Sequence, residues 1–537
     1  NPPVAQTPNP DLNNPAPSGA RRQIARAAGT VAAAFVLSNL IGLLRQILIT
    51  RAFGADAALD AFYAAARLPE MVFSLVAGGA LASAFIPTFT GLLENKQRQQ
   101  AWQLASAIAN LVVLILMAAC ALAWLFAPQL VRYVLVPDFD PGQQLLTAEL
   151  LRIQLVTPII FGFSGLLMGV LNAHQRFLLP ALAPSMNWIG VIFGVLFLAP
   201  TMGVHGLAWG AVLGALLHLV VQLPGLARLK PDYSFSLGLK LPDVREVARL
   251  MAPRLLGQAA VQISFVVNAI VASGLPAGSL AAITIAFQVM TMPQIVIAQA
   301  IAIAALPTFS AQFAAGKLGE LRESLVDTLR GILLLSLPAT VGIILLRQPV
   351  VALLFQRGDF GADDTQLVAW ALSWFTAGLV GHSVVEIVSR AFYALHDTRT
   401  PVAVAVGQMT LNVIFSLTFP ALFAARGWLP HGGLALANSL STFIEAIALL
   451  WLMRRRLGGL QERRLLSGLG QAALASALMG LAIWAWLGWA AAQPLWLLAL
   501  GGIALGGLVY AGGVWLLRVP EARELADTAR IRLRLKR

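Results

Sequence analysis

Charge is scarce in this 537-residue chain: Asp, Glu, Lys and Arg make up only 11% of it, against about 25% in an ordinary soluble domain. That shortfall excludes a soluble enzyme. Cysteine is rarer still. Cys120 stands alone, so an internal disulfide and a cysteine metal cluster are both excluded, and it reads as a small buried apolar residue. There is no phosphate-binding loop of the Gly, four residues, Gly-Lys-Ser/Thr kind and no polar stretch long enough to house one, so ATP-driven pumping by this chain alone is excluded. No His, Cys and carboxylate set has metal-ligand spacing. Nothing implies a cofactor or a catalytic reaction. The first 20 residues lack any apolar stretch and carry Pro2, Pro3, Pro8, Pro10, Pro15 and Pro17; they read as a flexible polar tail rather than a signal peptide.

Apolar residues are what the chain has in excess, at 58% with a mean hydropathy of +0.78. Runs of about 20 recur from end to end, each long enough to cross about 30 Å of hydrocarbon as a helix. Candidate spans fall near 30–50, 63–90, 102–127, 148–171, 182–200, 205–227, 248–272, 281–308, 328–346, 366–395, 401–424, 433–453, 467–490 and 495–517. All are expected to be helical, since lipid offers no water to an open backbone. The net charge of +13 does not point to nucleic acid, because the basic residues sit in the short loops. Of 37 Lys and Arg, only Arg51, Arg132, Arg347, Arg357 and Arg426 fall on one side, and Arg45, Arg67, Arg152, Arg254 and Arg390 fall within spans. The rest share the other side. That asymmetry predicts fourteen spans with both termini cytoplasmic.

Three short matches recur in order. Ala84-Phe85-Ile86-Pro87-Thr88-Phe89 resembles Ala304-Ala305-Leu306-Pro307-Thr308-Phe309. The turn from Asn172 to Pro180 resembles that from Tyr393 to Pro401, and His205-Gly206-Leu207-Ala208 resembles Gly432-Gly433-Leu434-Ala435. The expected architecture is therefore an all-α polytopic membrane protein. It consists of two six-helix lobes, related as parallel repeats, plus two extra C-terminal helices. Its units are a tail (1–20), an N-lobe (21–228), a cytoplasmic linker (229–247), a C-lobe (248–456), the last two spans (457–518) and a basic tail (519–537). Paired repeats of this kind are the usual construction of an alternating-access transporter.

Polar groups inside spans cost on the order of 3 kcal/mol each when charged, and must face protein or water. The first span carries Ser38, Asn39, Arg45 and Gln46, with cavity lining and snorkelling of Arg45 to the surface both open. Asp60 begins the second span, as a partner for Arg45 or Arg51 or as an ordinary cap. Arg67 and Glu70 follow at a spacing that allows mutual neutralisation. Arg254, Gln258 and Gln262 form one stripe at i, i+4, i+8, and Gln288 is a lone amide on the eighth span. Glu386 four residues before Arg390 is the favourable order for a structural ion pair. The candidate ligand-binding set is Ser38, Asn39, Arg45, Asp60, Arg67, Arg254, Gln258, Gln262 and Gln288, with Glu386 and Arg390 as an ion pair or gate.

Longer motifs carry a resemblance. Gly42-Leu43-Leu44-Arg45, Phe53-Gly54-Ala55, Asp60-Ala61-Phe62, Leu68-Pro69, Leu354-Phe355-Gln356-Arg357-Gly358 and Arg390-Ala391-Phe392-Tyr393-Ala394-Leu395-His396-Asp397-Thr398-Arg399-Thr400-Pro401 are similar to segments of the MurJ/MviN lipid II flippases of the MOP exporter superfamily, over about residues 24–518. The resemblance implies a bacterial inner-membrane flippase that moves an undecaprenyl-diphosphate-linked peptidoglycan precursor from the inner to the outer leaflet. It also implies a lateral gate and a groove by the last two spans for the polyprenyl tail; membrane lipids and cell-wall synthesis enzymes are the expected partners. The sequence departs from the family pattern at Asn39, Phe73 and Gln288, where better-known members carry cavity arginines; Arg45 and Asp60 remain. Two other readings stay open: an exporter of another polyprenyl-linked glycan or an amphipathic small molecule, and a non-transporting cell-wall scaffold.

Overall fold

The computed structural model describes residues 18–76 and 80–519; within these, the side chains of 18–33, 35, 75–83, 252–261 and 263 fall outside the description. The two expected terminal tails therefore lie almost wholly outside the described residues. The chain runs through α1 (Ser18–Phe53), α2 (Ala57–Val76), α3 (Ala80–Glu94) and α4 (Arg98–Leu125), then α5 (Pro141–Ala173), α6 (Leu178–Met202) and α7 (Val204–Ala227). It continues with α8 (Pro242–Ser273), α9 (Ser279–Ala314), α10 (Leu318–Phe355), α11 (Ala362–Ala377) and α12 (Leu379–Ala394), and closes with α13 (Arg399–Ala425), α14 (His431–Leu457), α15 (Glu462–Trp489) and α16 (Leu495–Leu516). No strand occurs among the described residues.

Eleven of these helices are long and apolar enough to span a membrane, and twelve if α11 and α12, bent by 43° at their junction, form one span. The expected count of fourteen is not reached by that measure. The helix α2 carries Asp60, Arg67 and Glu70 within 20 residues, which lowers its apolarity, and much of α8 lies outside the described side chains, leaving Ser264–Ser273 as its described apolar stretch.

The duplicated segments share more than residue types. Lys96 closes α3 in the left-handed region (φ 58°), donating to Leu93 O at 3.0 Å while Gln97 N–H donates to Leu92 O at 2.9 Å. Gly316 (φ 72°) closes α9 with the same pair of bonds, to Phe313 O and, from Lys317, to Gln312 O, both 2.9 Å. Gln175 (φ 57°) and His396 (φ 59°) repeat the arrangement after α5 and α12. This is the left-handed helix stop that satisfies terminal carbonyls.

Helices within each half pack mainly on one another: α6 on α7 and α1, and α5 on α2 and α4; later in the chain, α14 lies against α11, α12 and α13. The first half meets the second where α8 lies on α2 and α3 and where α9 lies on α2. The last two helices, α15 and α16, pair with each other and dock on α10.

Candidate functional site

Between the halves lies a cavity of about 740 Å³, walled by α1, α2, α5, α6 and α7 on one side and by α8, α9, α11 and α14 on the other. Ser38, Asn39, Arg45, Arg67, Gln262 and Gln288 all line it, so six of the nine predicted ligand-binding residues converge from four helices. The side chains of Arg254 and Gln258 lie outside those described.

Arg45 does not snorkel. Its guanidinium lies 4.2 Å from the centroid of the Trp188 ring on α6, a cation–π contact worth about 2 kcal/mol where water is excluded. One terminal nitrogen donates to Gln46 Oε1 at 3.3 Å and to Gln288 Oε1 at 3.5 Å. Its Nε is buried without a partner, and no carboxylate among the described residues lies within ion-pair distance. Three long or missing bonds leave a cation held by a ring face, with donor capacity to spare. Gln46, carried next to Arg45, is buried and tied to Tyr63, donating from Nε2 to the phenol oxygen at 2.9 Å.

Arg67 comes from α2, where Pro69 sits inside the helix two residues on. Its guanidinium donates to Thr284 Oγ1 across the cavity at 3.2 Å and meets Glu70 Oε2 at only 3.5 Å. Glu70 is largely exposed, so the pair is loose and contributes little. The Arg67 Nε also lacks a partner.

Asp60 is not part of the cavity wall, contrary to expectation. It is buried at the face that the charge pattern assigns to the outside, and it caps the other half rather than its own helix. Its two carboxylate oxygens accept Gly278 N–H at 2.7 Å and Ala281 N–H at 2.6 Å, at the start of α9. A negative group on the orphan N–H groups of a helix start is favourable twice over, through hydrogen bonding and through the helix dipole. The halves also touch by backbone there: Asp359 N–H donates to Arg51 O at 3.0 Å, and Asp138 N–H donates to Ser273 Oγ at 3.3 Å. Gly278 (φ 84°) and Gly358 (φ 62°) make the approach possible, because a Cβ at either would overlap the Ala55 or the Arg51 carbonyl oxygen. In the loop between α1 and α2, burial pushes the Asp56 carboxyl above its ordinary range, with the nearby Asp364 charge adding to it.

Glu386 and Arg390 form the expected pair on α12, 2.7 Å apart and partly buried, and neither reaches the cavity. Residues that the sequence did not single out complete the wall, among them Trp188, Asn187, Thr284, Asn268, Asn438 and His218. His218 carried a readable signal, an ionisable ring inside an apolar run; the others are ordinary helix residues that only packing brings together. Among the described residues no three His, Cys, Asp or Glu side chains converge as metal ligands.

A cavity between the halves with guanidinium groups short of partners is suited to an anionic guest. The family model "Lipid II flippase MurJ" matches residues 49–498. The chain belongs to that family. Among its relatives, the lipid II flippase MurJ of Burkholderia cenocepacia is 30% identical over 438 residues, covering 80% of this chain and 84% of that protein. The probable lipid II flippase MurJ of Synechocystis sp. is 28% identical over 540 residues, covering 95% and 98%. In fold, this family member resembles a solved lipid II flippase MurJ in an inward closed conformation (TM-score 0.78, 24% identity, 92% of this chain and 99% of that one). It also resembles an inward-facing multidrug resistance MATE transporter of the MOP superfamily, less closely (TM-score 0.66, 16% identity, 79% and 96%).

Proposed function

We propose that this chain carries an undecaprenyl-diphosphate-linked peptidoglycan precursor, lipid II, from the inner to the outer leaflet of a bacterial inner membrane by alternating access. The observation that carries the reading is the pair Arg45 and Arg67: two guanidiniums facing one inter-half cavity, each with an unpartnered Nε. A diphosphate cannot cross hydrocarbon bare, and the planar guanidinium fork replaces its water with directed bonds. Both termini lie on the cytoplasmic side, residues 21–228 and 248–456 act as the moving lobes, and α15 with α16 guides the polyprenyl tail. Residues 229–247 link the lobes on the cytoplasmic face.

Depletion in a host with no other flippase, followed by measurement of precursor exposed on the outer leaflet, tests this. Outer-leaflet precursor should fall on depletion, and an unchanged level removes the reading. A different polyprenyl-linked glycan is the second reading, favoured by Asn39, Phe73 and Gln288 on the cavity wall, where the family resemblance leads one to expect arginines. Exchange of the glycan at constant diphosphate separates the two. A scaffold would expose each cavity position to one side only in cysteine-accessibility experiments, whereas a flippase exposes it to both.

A further inference from the structure

In the first half, α5 and α7 bury a chain of three polar side chains beside the cavity. Gln222 Nε2 donates to Ser164 Oγ at 2.7 Å and to His218 O at 3.0 Å. Ser164 Oγ lies 2.7 Å from His218 Nδ1. Ser164 and Gln222 are fully buried and His218 nearly so, yet His218 lines the cavity. Its ring is braced edge-on against Phe161 at 5.2 Å, and Phe161 packs on Phe73 of α2 at 4.7 Å.

The direction of the chain follows from counting protons. Both Gln222 amide protons are engaged, so Ser164 Oγ is an acceptor and has a single proton to give. Its other acceptor, the His218 carbonyl, is 3.4 Å away, beyond the ordinary range for a hydroxyl donor. The proton therefore goes to Nδ1. A neutral imidazole that accepts at Nδ1 carries its hydrogen on Nε2, and Nε2 is the one ring nitrogen without a protein partner. Successive donors polarise one another, which favours this arrangement over the broken one.

We infer that His218, fixed as the Nε2–H tautomer by Ser164 and Gln222, donates a hydrogen bond to a phosphate oxygen of the diphosphate cargo. It would act as a third ligand beside Arg45 and Arg67. This rests on the functional reading above and adds to it a neutral, directional donor that discriminates phosphate geometry rather than charge. Ser164 and Gln222 are positioning residues; they act through His218.

The test uses the purified full chain in detergent, with undecaprenyl diphosphate as probe and undecaprenol as the phosphate-free control, read by native mass spectrometry. His218→Leu should weaken binding of the diphosphate by about tenfold or more, the scale of one hydrogen bond to a charged group, and leave undecaprenol binding unchanged. His218→Gln, which keeps an N–H donor, should recover part of the loss. Ser164→Ala leaves the ring in place but its tautomer unpinned, and should cost a smaller factor, about two to five. Nitrogen NMR of histidine-labelled protein reads the tautomer directly: Nε2–H in the wild type, a mixture in Ser164→Ala. An Nδ1–H tautomer in the wild type, or undiminished diphosphate binding by folded His218→Leu, overturns the inference. So does a loss seen only with a glycan-bearing lipid. Arg45→Ala serves as the separate check: if it too binds normally, the cavity reading itself fails, whereas a loss there with none at His218 defeats this inference alone.

Discussion

Replacement of Gly278 by Ala should pry apart the face that the charge pattern assigns to the outside. Two costs arise. The first is conformational: at φ 84° an L side chain costs about 1–2 kcal/mol, whether the face is open or closed. The second exists only in the closed form. The new Cβ overlaps the Ala55 carbonyl oxygen, and any retreat of α9 that relieves this stretches the 2.7 Å bond from Gly278 N–H to Asp60. Loss of one hydrogen bond to a carboxylate amounts to about 2 kcal/mol, which moves the closed-to-open ratio about 30-fold. The assay is labelling of Thr284→Cys, a cavity position, by a membrane-impermeant maleimide added from outside. Cys120, the one native cysteine, is buried and is first replaced. The labelling rate should rise by an order of magnitude or more in Gly278→Ala. Gly316→Ala is the control, since Gly316 also has positive φ (72°) but a Cβ there meets nothing within 4 Å; it should lower stability without changing access. Equal labelling in folded Gly278→Ala and its parent would refute the idea that this glycine contact and the Asp60 cap hold the outer face shut.

Other consequences are simpler to state. Arg45→Ala should reduce affinity for undecaprenyl diphosphate by about 10- to 100-fold, with Arg45→Lys recovering only part, because an ammonium cannot reproduce the fork over Trp188; titration by native mass spectrometry decides it. Glu70→Gln should tighten binding of the same lipid a few-fold by removing a like charge from the chamber, and weaker binding would mean that Glu70 positions Arg67 instead. Asp397, in the turn before α13, accepts Thr400 N–H at 3.1 Å, and that bond holds its carboxyl below the ordinary range, with Arg456 contributing. Its stabilisation is thus present above the ordinary carboxylate pKa and fades as pH falls through the lowered value. Asp397→Ala should cost about 1 kcal/mol at neutral pH and progressively less in acid, as followed by thermal melts.

What the sequence made legible is what the membrane penalises. Arg45 and Arg67 stood out because a guanidinium in an apolar run needs a reason to be there, and both face the cavity. The paired turns at Gln175 and His396 were readable as a repeated motif because a helix stop is a local event, whereas those at Lys96 and Gly316 share a backbone shape without a shared sequence. Asp60 was misplaced because its role is not local: its partners, Gly278 and Ala281, lie more than 200 residues away, and no pattern around Asp60 marks them. Trp188 was invisible for the same reason, since a tryptophan in a span reads as packing until a cation from another helix is laid on it. The span count fell short where the charges needed by the cavity lower a helix's apolarity, so function itself blurred the signal of α2.

Among the described residues, every ionisable side chain on the cavity wall (Arg45, Tyr63, Arg67, Glu70 and His218) belongs to the first half, while the facing wall offers only amides, hydroxyls and rings such as Gln262, Asn268, Thr284 and Phe287. Among those residues the grip is one-handed. Under the proposed alternating access, a guest held by a single lobe would travel with that lobe as the other swings aside, so rocking need not tear those bonds, and release could wait until outside water reaches them.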